Sequence, residues 1–72
     1  MARDEIVAVM VRTAREAAGL SQTEAGRRME YSEPYRMWHR YETGARQPRA
    51  GNLARMMAML RSAAEEVRDD TL

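Results

Sequence analysis

The chain has no cysteine, one histidine and two prolines among 72 residues, and none of its twelve basic side chains is a lysine. Without cysteine, neither disulfides nor thiolate metal sites can staple the core. With His39 as the sole imidazole, most zinc and metal-triad schemes fall away as well, and no cofactor is expected. No Ser, Cys or second His is placed to work with His39 as a nucleophile–base pair, so an enzyme is not expected either. No apolar run approaches the ~20 residues that span a bilayer. The opening Met1-Ala2-Arg3-Asp4-Glu5 is too acidic and too short of apolar length for a signal peptide. A cytoplasmic location is the expectation, and the lack of thiols fits it. No segment alternates apolar and polar residues between turn signals, which leaves no candidate strand, and no internal repeat or low-complexity segment is present.

What remains is arginine, alanine and methionine. A single domain over residues 1–72 is expected, with a core over 4–60. A chain this short buries only about 60% of its unfolded surface, so its core must be purely apolar, with dimerisation available to enlarge it. Most of the arginines read as the codon bias of a GC-rich genome, which the twelve alanines share. Their distribution carries more information. Residues 1–20 balance three Arg with three acids; residues 21–61 hold eight Arg against four acids; residues 62–72 hold one against four. A basic middle on a nearly neutral chain is a local electrostatic footprint.

Hydrophobic periodicity predicts helices throughout. In the first, residues 4–18, Ile6, Val7, Met10, Val11, Ala14, Ala17 and Ala18 recur at three- and four-residue steps as one apolar stripe. Asp4 and Glu5 stand where the helix dipole favours acids, and Gly19 supplies the left-handed residue that ends the helix. Ser21 with Glu24 forms a capping box for a short helix from Gln22 to about Met29. Gly26 in its interior costs about 1 kcal/mol relative to Ala, which close approach of another helix would explain. After Glu30-Tyr31-Ser32-Glu33, Ser32 or Glu33 caps a third helix, 33–41, whose first turn suits Pro34. Trp38 and Tyr41 share one face of it, with Met37 at the edge. Tyr35, Arg36, His39 and Arg40 lie away from that face. Thr43-Gly44 closes it, and Ala45-Arg46-Gln47-Pro48-Arg49 is a doubly basic loop. Leu53, Met56, Met57 and Leu60 mark a fourth helix, 50–60, as core filling. Beyond it, Ser62–Glu65 is a second capping-box pattern. Residues 61–72 therefore read as a short fifth helix or tail, or as a continuation of the fourth, with fraying over the last four residues.

A helix lying in the major groove needs one wet face and one clamped face, with phosphate-binding groups flanking it to set register. Ser21 and Gln22, with the free N–H groups of their helix start, can serve one flank. Arg46 and Arg49 can serve the other. The order of these parts resembles the Cro and phage-repressor type of helix-turn-helix, the XRE family. The resemblance rests on Leu20-Ser21-Gln22, Gly26, Met29 and Tyr31 around the turn, Trp38, Arg40-Tyr41-Glu42-Thr43-Gly44, Pro48 and the Leu53…Leu60 helix, and covers roughly residues 6–60. It implies an all-α, compact, four- to five-helix, lambda-repressor-like fold. It also implies a phosphate-binding, helix-bracing role for Gln22, core positions at Trp38 and Tyr41, and a buried ion pair between Arg15 and Glu42. Counting back from Glu42, the family's base-reading positions fall on Tyr35, Arg36 and Arg40, with His39 adjacent. Arg36 is the foremost, since arginine can grip guanine O6 and N7 together; a phosphate contact is its competing role. Two features depart from the family. Twenty residues separate Gln22 from Glu42, two more than usual, so extra length lies between Met29 and Tyr35 and either lengthens the turn or extends the start of the third helix. Glu30 stands where a glycine is common.

The implied function is a sequence-specific regulator of transcription on double-stranded DNA. A repressor or autorepressor of a phage or mobile-element operon is the first expectation, and anti-CRISPR-associated autorepressors are one class that would fit. One such unit reads only a few base pairs, so a homodimer on an inverted repeat is expected, with Met56, Met59, Leu60 and Val67 at its interface. The alternative is an antitoxin of the same fold, whose tail also binds a protein partner.

Overall fold

A computed structural model of the protein describes the backbone of residues 3–71 and the side chains of residues 5–68. Four helices follow one another: α1 (Arg3–Ala17), α2 (Gln22–Arg28), α3 (Pro34–Thr43) and α4 (Ala50–Thr71). No strand occurs among the described residues. Several helix ends use a device written in the sequence. At the end of α1, Gly19 adopts φ 71°. Its N–H bonds the Glu16 carbonyl at 3.0 Å and the Leu20 N–H bonds Arg15 at 3.3 Å, the paired bonds of a Schellman cap. Ser21 then caps α2: its hydroxyl accepts the Glu24 N–H at 3.0 Å, and its own N–H donates to the Glu24 carboxylate at 3.0 Å. Those bonds to Ser21, backbone first, hold the Glu24 carboxyl below its ordinary range.

A second Schellman cap ends α2, and it exacts strain. The Glu30 N–H bonds Arg27 at 2.9 Å and the Tyr31 N–H bonds Gly26 at 3.1 Å. This geometry puts Glu30 at φ 60°, where a Cβ crowds the backbone. Five residues, 29–33, then separate α2 from α3, against the three or four of about the usual helix-turn-helix connection. The extra length is thus taken up in the turn. Glu33 is the N-cap of α3 but makes no side-chain cap bond, and Pro34 takes the first position, where its missing N–H costs nothing. The two helices come close at Gly26. A Cβ there would stand 2.2 Å from the Pro34 carbonyl oxygen and 2.7 Å from its Cα. Both contacts are with backbone, so nothing flexible can yield, and glycine is required.

The core gathers Val11, Ala18, Leu20, Ala25, Met29, Trp38, Tyr41, Met56, Leu60 and Ala63. Trp38, fully buried, is the largest of the enclosed side chains. α3 packs on α2 and α1, and α1 on α4. The buried arc of α1 comprises Ala8 and Val11, continued by Ala18 just past its end and edged by Val7 and Ala14. Its apolar stripe is wider than the neighbours cover, so Ile6, Met10 and Ala17, expected inside, are exposed, as is Val9. In α4 the burial repeat Met56–Leu60–Ala63 carries the helix straight through Ser62 to Thr71, and the local capping signal there is overridden. Of the two readings of residues 61–72, the continuous helix is the one observed. Asp69 and Asp70 belong to it, and Leu72 lies outside the described residues.

The expected dimer interface needs correction. Met56 and Leu60 are core residues with essentially no exposed surface, and withdrawing them to meet another molecule would open the protein's own interior. Met59 is partly buried against the core, and Val67 is exposed.

Two substitutions in the turn have opposite expected effects. Gly26→Ala forces α2 and α3 apart and costs about 3 kcal/mol or more. Glu30→Gly relieves the left-handed strain and, after the extra entropy of a glycine in the unfolded chain, stabilises by about 0.5–1 kcal/mol. Urea unfolding of the two variants beside the parent measures both.

Candidate nucleic-acid interface

The face of α3 that points inward is organised by one carboxylate. Glu42 is only 8% exposed and is the one buried charged residue among those described. Arg15, at the end of α1, brings two nitrogens to it: Nε to Oε2 at 2.5 Å and Nη2 to Oε1 at 3.0 Å. The third arm of the same guanidinium, Nη1, donates to the Leu20 carbonyl at 2.8 Å. The Gln22 amide, at the start of α2, donates to Oε1 at 3.2 Å, and the Trp38 indole N–H donates to Oε2 from one turn back on α3. One side chain therefore joins α1, α2 and α3. The fork of Arg15 matches the carboxylate as a bidentate partner, and no buried side-chain polar atom is left without a hydrogen bond among the described residues.

Burial by itself pushes the Glu42 carboxyl up. The hydrogen bonds from Arg15, Trp38 and Gln22, with the charge of Arg15, outweigh it, and the net displacement is downward. The bond to Glu42 likewise raises the Arg15 guanidinium despite partial burial.

The opposite face of α3 is wet. Tyr35 is 53% exposed and the Arg36 side chain 60%. The rings of Tyr35 and His39 stack with centroids 5.2 Å apart and planes 18° from parallel. Arg36 Nη1 lies 3.4 Å from a Glu33 carboxylate oxygen. Arg40, placed beside them by the sequence, is half-buried. Its carbonyl accepts the Arg46 N–H and the Thr43 hydroxyl, each at 3.2 Å, which folds the basic loop back onto the end of α3. Gly44, at φ 80°, allows that reversal.

Arg46 and Arg49 are exposed. With Tyr41, Gln47 and Asn52 they line a cleft of about 170 Å³ at the junction of α3 and α4. Asn52 was not singled out from sequence. Its amide donates to the Tyr31 hydroxyl at 3.0 Å and to the Tyr41 hydroxyl at 3.4 Å, and the two rings meet edge to face at 6.1 Å. The start of α4 is thereby fastened both to the long turn and to α3. The need was readable, because a buried tyrosine hydroxyl requires a partner. Which residue answers it was not, since the bonds cross 21 and 11 positions of sequence. Ser21 is occupied in its capping box and Gln22 bends its amide toward Glu42, so the bracing expected of Gln22 is visible in the bond itself.

Glu42→Gln strands the Arg15 guanidinium and is expected to cost about 3–5 kcal/mol at neutral pH, read by urea unfolding. The lowered Glu42 value also sets a pH dependence. Its stabilising contribution is complete above the ordinary carboxylate value of 4.5 and is lost as pH falls through the lower folded value. Urea midpoints followed downward from pH 6 should fall for the parent more than for Glu42→Gln.

A family model described as a helix-turn-helix domain matches residues 7–69. No curated protein and no solved structure matches the chain. The family match spans the cap of α1, the α2–turn–α3 pair, the basic loop and nearly all of α4, the parts whose geometry has just been given. The chain belongs to the helix-turn-helix domain family of DNA-binding domains.

Proposed function

We propose that the protein is a sequence-specific regulator of transcription that represses by occupying double-stranded DNA, in the cytoplasm, at an operon of a phage or mobile element. The observation that carries this reading is the division of α3. Trp38, Tyr41 and Glu42 are buried and hydrogen-bonded, whereas Tyr35, Arg36 and His39 are exposed side by side. A helix clamped on one face and armed on the other is what a major groove admits. In this reading Tyr35, Arg36 and His39 meet base edges, with Arg40 at the margin because it is half-buried. Ser21 and Gln22 at the start of α2, and Arg46 and Arg49 at the cleft, meet phosphates and set register.

The operator is an inverted repeat bound by a two-fold dimer, with half-sites about one turn of DNA (~34 Å) apart. With Met56 and Leu60 committed to the core, the contact draws on exposed Val67 with the partly buried Met59, or on the exposed Ile6–Val9–Met10 stripe of α1.

Binding to a duplex selected from a random pool should weaken steeply with salt, as release of counterions from neutralised phosphates requires. Arg36→Ala should erase preference among operator variants, whereas Arg49→Ala should weaken all duplexes alike and lower the salt slope by about one. Salt-insensitive or absent binding contradicts the repressor reading. A tightly co-purifying protein in place of DNA would favour the antitoxin.

A further inference from the structure

We infer that Glu33 is a positioning residue that sets the base preference of Arg36 and keeps the leading end of α3 off phosphates. The inference rests on α3 being the DNA probe. Glu33 is the N-cap of α3, yet its carboxylate makes no cap bond with the helix it opens. It faces Arg36 instead, at 3.4 Å, with both side chains 60% exposed. Capping does not account for the carboxylate, and an exposed ion pair of this kind adds little stability. Its effect is therefore on what Arg36 does.

Arg36 stands between unequal neighbours. One turn back is the Glu33 carboxylate; one turn on, at four residues, is Arg40, which repels it. The guanidinium is drawn toward the start of the helix, the end that enters a groove first. A held guanidinium loses less rotamer freedom on gripping guanine O6 and N7, and preorganisation of this kind sharpens recognition. The same carboxylate opposes a second use of Arg36. On non-operator DNA an unpaired arginine would seek phosphates, the main source of binding without sequence preference. A negative charge 3.4 Å from it makes that contact less favourable, because the carboxylate is brought toward the phosphates too. Glu33 thus lowers affinity for all DNA while raising the ratio of specific to non-specific binding, which is the quantity that matters among many competing sites.

The test compares the parent, Glu33→Gln, Glu33→Asp and Arg36→Ala on a pool of duplexes randomised over one half-site and on an alternating A–T duplex, across a salt series. Thermal melts should place Glu33→Gln only slightly below the parent, since the exposed carboxylate makes no cap bond but lies at the positive end of the helix dipole. Glu33→Asp should melt at or above the parent, since aspartate is a preferred N-cap. Glu33→Gln should bind the A–T duplex about three- to tenfold more tightly, with a salt slope steeper by about one. Its guanine preference at the position Arg36 reads should fall by about tenfold, within the range a bidentate arginine–guanine grip supplies. Glu33→Asp, which keeps the charge, should restore weak binding to the A–T duplex. If Glu33→Gln changes affinity for every duplex by one factor and keeps the guanine preference that Arg36→Ala loses, the inference is overturned while the probe assignment stands. If the parent itself shows no base preference, the reading of α3 as a probe falls, and this inference with it.

Discussion

The exposed face of α3 is oriented by a carboxylate on its buried side. Glu42 receives the forked guanidinium of Arg15, the amide of Gln22 and the indole N–H of Trp38. Three of the four helices meet at those two oxygens. Burying a charge is costly unless it is paired and hydrogen-bonded, and here each oxygen has two donors. Such a cluster need not raise stability above that of an apolar equivalent. What it does is geometric: it permits one rotation of α3 about its axis, with Trp38 and Tyr41 inward and Tyr35, Arg36 and His39 outward. In a chain without disulfides or a metal cluster among its described residues, orientation rests on this pairing and on the core around it.

The second constraint is steric. Gly26 lets the backbone of α2 touch the backbone of Pro34, which sets how near α3 stands to α2. The turn between them is longer than usual and passes through a left-handed glutamate. A longer turn gives the start of α3 more freedom, and two contacts restrain it: the Gly26–Pro34 approach and the Tyr31–Asn52–Tyr41 hydrogen bonds to α4. Downstream, Gly44 and the Arg46-to-Arg40 backbone bond return the basic loop to the same helix. α3 is thus fixed at its start, middle and end by different parts of the chain.

Local signals were legible where the physics is local. The Ser21–Glu24 box, the glycine after α1, Pro34 at the start of α3 and the small residue at 26 each stand where the sequence placed them, because each satisfies a need within a few residues. The Arg15–Glu42 pair came from family resemblance, since a contact 27 positions apart leaves no local trace. Where the structure departs from or decides between these readings, the cause is shared. Ile6 and Met10 were expected inside because periodicity shows which residues are apolar and not how wide an arc the neighbours cover. Met56 and Leu60 were assigned to an interface although an apolar stripe on a short chain serves its own core first. Ser62 carries a capping pattern that burial at Ala63 overrides. Asn52 was missed because the tyrosine hydroxyls it serves arrive from two other segments.

The central claim is that the exposed edge of α3 is the DNA-reading surface, held by the Glu42 cluster from behind. An NMR titration of the protein with a duplex selected from a random pool tests it most directly. The account predicts the largest amide and side-chain shifts at Tyr35, Arg36 and His39, with a second set at Ser21, Gln22, Arg46 and Arg49, and a Trp38 indole signal that stays in slow exchange with solvent throughout. Shifts concentrated on the outer face of α1 or the C-terminal half of α4, with the α3 edge unmoved, would contradict it.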